Sequence, residues 1–85
     1  MIKETAIVSS QMGIHARPAA LIASVVAKSE SDVIFRIDGI EIDPSKYIKL
    51  LSFHVKCGTK VEIIVDGKDE EAVLKELVHI LQTAV

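Results

Sequence analysis

Gly13-Ile14-His15-Ala16-Arg17-Pro18-Ala19-Ala20 is the stretch from which the rest of the chain is read. Gly13 supplies a tight turn, and Pro18 suits a first helical turn, where its missing N–H removes no hydrogen bond. Ala19, Ala20, Ile22, Ala23 and Val26 then recur at intervals of three and four. This spacing predicts a helix over Ala16–Lys28 with one buried face.

Outward from that helix the pattern changes period. Ile2 to Val8 alternates, with Ala6 and Val8 on one side and Thr5 and Ile7 on the other, and ends in the polar run Ser9-Ser10-Gln11, which predicts a first strand. Asp32 to Ile37 alternates with Val33, Phe35 and Ile37 on one face. Asp38-Gly39 is a two-residue hairpin signal leading to Ile40 and Ile42. Lys46 to Phe53 predicts a short helix in which Leu50 and Phe53 form one apolar stripe and Tyr47, Ile48 and Leu51 a second. Cys57-Gly58-Thr59 turns the chain into a fourth strand, Lys60 to Val65, closed by Asp66-Gly67. Asp69 to Thr83 carries a broad apolar stripe, Val73, Leu74, Leu77, Val78, Ile80 and Leu81, behind three carboxylates at the positive end of its dipole.

The order of elements predicts an α+β open-faced sandwich in one domain, residues 1–85: a four-stranded antiparallel sheet covered on one face by two long helices and one short one. A ferredoxin-like arrangement uses a similar succession, and periodicity does not separate the two.

Composition narrows the function classes. With 49% hydrophobic and 26% charged residues the chain is too apolar to be disordered. A formal charge of -2 provides no basic field for a phosphate backbone, so no nucleic-acid partner is expected. Apolar runs are a few residues long, and Met1-Ile2-Lys3-Glu4-Thr5 lacks an export layout, which points to a cytoplasmic protein that does not insert in membranes. Cys57 is the only cysteine and reads as a small residue entering a turn. His15, His54 and Cys57 do not follow metal-ligand spacing, and no metal or cofactor is expected.

The chemistry sits at His15. The first-turn amides of Ala16 and Arg17 lack intrahelical partners and carry the positive end of the helix dipole, and the Arg17 guanidinium matches phosphate oxygens. A neutral imidazole there attacks phosphorus without a helper base. The alternative is that His15 merely caps the helix with its ring exposed.

Gly13-Ile14-His15-Ala16-Arg17-Pro18-Ala19 resembles the active-site motif of HPr, the histidine-containing phosphocarrier of the bacterial sugar phosphotransferase system, and the likeness extends over essentially the whole chain. It implies that His15 takes a phosphoryl group from phospho-enzyme I, with phosphoenolpyruvate as ultimate donor, and passes it to a sugar-specific acceptor domain. It also implies a docking surface of Ala20, Tyr47, Ile48, Leu51 and His54. Several positions depart from the pattern. Lys46 replaces the serine through which many relatives are regulated; Ser45 is the remaining candidate for modification, and after Pro44 it reads as the N-cap of the short helix. Met12 stands for a small polar residue, Lys49 for a small one and His54 for a glycine. These changes motivate a second reading, a regulatory module that binds partners through Tyr47, Ile48 and Leu51 without phosphoryl transfer.

Overall fold

The Asp38-Gly39 turn is formed as its sequence demands: both residues have positive φ, 52° and 79°, the geometry of a tight I′ hairpin. It sets Ile37 opposite Ile40 and joins two strands of a computed structural model that describes residues 1–9 and 11–83. Ser10, part of the polar run after the first strand, lies outside the described residues.

The elements are β1 (Ile2–Ile7), α1 (Ala16–Lys28), β2 (Ser31–Ile37), β3 (Ile40–Ile42), α2 (Tyr47–Ser52), β4 (Lys60–Gly67) and α3 (Glu70–Thr83). The four strands form one sheet in the order β1-β4-β2-β3, with every pairing antiparallel. A ferredoxin-like sheet places its first strand in the interior, whereas β1 here is an edge, so that alternative is excluded.

Alternation decides which face is covered. Ala6, Val33, Phe35, Ile37, Ile42, Val61, Ile63 and Val65 point inward and are buried. Across the open face Arg36 bridges Glu62 at 2.9 Å and Glu41 at 2.7 Å. The core closes when α3 lays Val73, Leu74, Leu77 and Leu81 over β1 and β4, and α1 lays Pro18, Ala19 and Ile22 beside it. The short helix α2 packs on α1 and contributes Leu50, which is fully buried.

Several sequence expectations need correction. Ala20 is exposed, because α1 turns Pro18, Ala19 and Ile22 toward the core. The first strand stops at Ile7, β4 runs on through Asp66 to Gly67, and α3 begins at Glu70. Ser45 is not the N-cap of α2; Lys46 occupies that position, without a side-chain capping bond. The reason is local competition: the Asp43 carboxylate accepts both the Ser45 amide at 3.0 Å and its hydroxyl at 2.7 Å, closing an Asx turn one step earlier. The Ser45 hydroxyl, ahead of the other contacts, holds the Asp43 carboxyl below its ordinary range.

A second carboxylate ties the sheet to the last helix. Asp69 accepts the Ser31 hydroxyl, and the Glu30 amide at 3.0 Å, so the start of β2 is fastened to the start of α3. These bonds, the Ser31 hydroxyl first, lower the Asp69 carboxyl from its usual value. A carboxyl lowered in the folded state contributes stability that is fully present above its unfolded value and is lost as pH falls through the folded one. Acid unfolding followed by circular dichroism is therefore expected to flatten as pH falls below about 4, the ordinary carboxylate value, in Asp69→Asn relative to the parent. An unchanged slope there excludes Asp69 as an acid-sensitive tie.

Candidate phosphoryl-acceptor site

Ile14 anchors the site. Its side chain is buried in the core and its amide donates to the Val55 carbonyl at 2.9 Å. Gly13, at φ +70°, lets the two backbones approach, since a Cβ there would run into the Val55 carbonyl oxygen. The next residue, His15, is therefore delivered to one place at the mouth of α1.

His15 is the N-cap residue by its backbone, with φ −110° and ψ −170°, and its carbonyl accepts the Ala19 amide at 3.0 Å. Its ring makes no capping bond, which removes the simple capping role. His15 is half-buried, and its Nε2 is buried with no hydrogen-bond partner.

Pro18 has no N–H and Ala19 donates within the helix, so the first turn offers two unpaired amides, those of Ala16 and Arg17. No acidic side chain stands in that turn, and the exposed Arg17 forms no ion pair among the described residues. The guanidinium is free to meet an incoming anion.

A depression beside the ring is lined by Met12, Ala16, Leu51, His54 and Lys56. The structure thus brings Leu51 and His54 to His15 but divides the expected docking set. Tyr47 and Ile48 border a separate depression with Ile42, Lys46 and Lys49. Ile48 is 72% exposed, while Tyr47 and Leu51 are half-buried against the core. Ala20 is exposed on α1, one turn beyond Ala16. Among the described residues no cluster of His, Cys, Asp or Glu could hold a metal, and His15, His54 and Cys57 form none.

Electrostatics around the ring are one-sided in a way the net charge conceals. No carboxylate occurs between Glu4 and Glu30 or between Asp43 and Glu62, the two stretches that supply every residue of the depression. Lys46, Lys49 and Lys56 are exposed within the second stretch. The chain is acidic overall and cationic where His15 is presented. No helix among the described residues is long and apolar enough to cross a membrane.

Comparison with known proteins bears on the family and the fold. A family model described as the PTS HPr component phosphorylation site matches residues 2–83. Phosphocarrier protein HPr of Treponema pallidum is 30% identical over 82 residues, covering 96% of this chain and 93% of that one. HPr-like protein Crh of Bacillus subtilis is 33% identical over 85 residues, covering 100% of both. The crystal structure of HPr from Thermoanaerobacter tengcongensis superposes with a TM-score of 0.89 at 29% identity, over 98% of this chain and 93% of that one. A motif histidine at the open mouth of a helix, on this sheet and within this matched span, places the chain in the HPr family of the phosphotransferase system.

Proposed function

We propose that the chain is a phosphocarrier that accepts a phosphoryl group on Nδ1 of His15 and gives it up to a second protein. The observation that carries this reading is the ring's position: Nε2 is buried, and the two unpaired amides of Ala16 and Arg17 lie at the same helix mouth. The Nδ1 lone pair attacks phosphorus, a P–N bond forms as the donor's bond to phosphorus breaks, and the donor leaves with that electron pair. Nε2 keeps its proton throughout. The amides and the Arg17 guanidinium hold the phosphoryl oxygens while charge is redistributed, which is the main work a protein performs in such a transfer. Onward transfer is the same step in reverse with a new nucleophile. By family the donor is phospho-enzyme I and the acceptors are sugar-specific domains of the phosphotransferase system.

Incubation with enzyme I and phosphoenolpyruvate is expected to give one acid-labile modification, mapped by tandem mass spectrometry to His15. Modification confined to another residue, or none, overturns the reading. Because the His15 end is cationic, the initial rate of uptake is also expected to fall as sodium chloride rises from about 0.01 M to 0.5 M, where the Debye length shrinks from about 30 Å to a few ångströms. A rate indifferent to salt would remove electrostatic steering from the account.

One observation favours a second reading, binding of a regulatory partner. Ile48 is exposed and faces a depression separate from that of His15. Lys46 fixes a positive charge beside it, and the Ser45 hydroxyl is committed to Asp43. A partner that binds His15→Ala as tightly as the parent, and loses affinity for Ile48→Ala, supports this reading; one lost on His15→Ala rejects it.

A further inference from the structure

Among the described residues, two non-glycine positions adopt positive φ, Asp38 in the hairpin and His54 beside the proposed acceptor. Asp38 is explained by its turn. His54, at φ +54°, closes α2 by donating its amide to the Leu51 carbonyl at 3.2 Å, a left-handed termination that glycine makes without penalty and a side chain resists. Strained non-glycine backbone clusters at functional sites, which directs attention to the His54 side chain.

The surroundings say what that side chain can do. The residue after His54 accepts the amide of the residue before His15, the Ile14 to Val55 bond, so the two histidines flank one backbone hydrogen bond and line one depression. The His54 side chain is exposed and has no hydrogen-bond or ion-pair partner among the described residues. No carboxylate lies in either contributing stretch to claim it. Met12, on the same depression, has a thioether with no proton to donate.

Resting on the assignment of His15 as acceptor, we propose that His54 is a further phosphoryl-binding residue beside Ala16 and Arg17, its ring N–H donating to an oxygen of the group carried on His15. The amides of Ala16 and Arg17 approach that group from the helix; His54 approaches from the α2 side and lengthens its life on the ring.

The test uses phosphoramidate, a small phosphoryl donor that needs no partner protein. The full chain and its His54→Gly, His54→Asn and Lys56→Ala variants are phosphorylated, and loss of the group is followed by ³¹P NMR at neutral pH. Glycine suits the left-handed position, so His54→Gly folds; it is expected to lose the phosphoryl group about tenfold faster, the effect of removing one hydrogen bond to a charged group. Asparagine tolerates the same backbone and keeps an N–H donor, so His54→Asn should recover most of the lifetime. In the parent, the ring ¹⁵N resonances of His54 should shift when His15 is phosphorylated. Equal lifetimes for parent and His54→Gly, or a loss confined to Lys56→Ala, overturn the assignment to His54 and leave the phosphocarrier reading intact. Undiminished uptake by His15→Ala overturns both.

Discussion

Arg17→Ala is expected to slow phosphoryl uptake from enzyme I by about a hundredfold, the usual effect of removing one prearranged donor from a charge-transferring site, while His15→Ala abolishes uptake. The guanidinium is exposed, forms no ion pair among the described residues, and belongs to the same first turn of α1 that follows His15, the proposed acceptor. Two backbone amides of Ala16 and Arg17 survive the substitution, which is why the loss is large but finite. Arg17→Lys keeps the charge without the paired N–H geometry and should recover only part of the rate. Initial rates of radiolabelled phosphoryl incorporation at fixed donor concentration decide the matter. If Arg17→Ala matches the parent, the guanidinium does not contact the group.

Gly13→Ala should be the most damaging single substitution outside the core, costing about 3 kcal/mol, with the left-handed backbone and the steric overlap both contributing. The new Cβ meets the Val55 carbonyl oxygen and the backbone of Lys56, which are main-chain atoms with little room to yield. Retreat is blocked as well, because that carbonyl is held by the Ile14 amide and Val55 itself is buried. For a domain of this size the cost corresponds to a fall of roughly 12–24 °C in Tm. Urea unfolding measures it directly, and a change below about 1 kcal/mol would mean that the loop relaxes freely. Such a loop would also leave His15 unplaced, so the stability measurement bears on the proposed chemistry.

Much of this architecture was legible from periodicity because the signals were local. The α1 boundaries, the Asp38-Gly39 hairpin and the inward sets of β2 and β4 each follow from residues within one element. What escaped was decided by competition or by contacts distant in the chain. Ser45 looked like a cap because nothing in its own position reveals that Asp43 takes its hydroxyl first. Ala20 shared the helical spacing of Ala19 yet faces solvent, since the exact rotation of α1 is set by what Pro18 and Ile22 bury. The pairing of Ile14 with Val55 joins segments some forty residues apart. The cationic character of the His15 end was present in the sequence but hidden by averaging; reading the acidic residues by position rather than by total would have found it.

The first strand has one neighbour in the sheet, and it is the last strand to be made: Ile2 pairs with Val65 and Ile7 with Lys60. On a ribosome adding about 5–20 residues per second, β1 emerges seconds before its partner exists. Its apolar residues wait unprotected while α1 and the hairpin can already assemble. Folding therefore finishes late, by closing a loop across most of the polypeptide, and a nascent chain halted before Lys60 should stay open to protease at Ile2–Ile7.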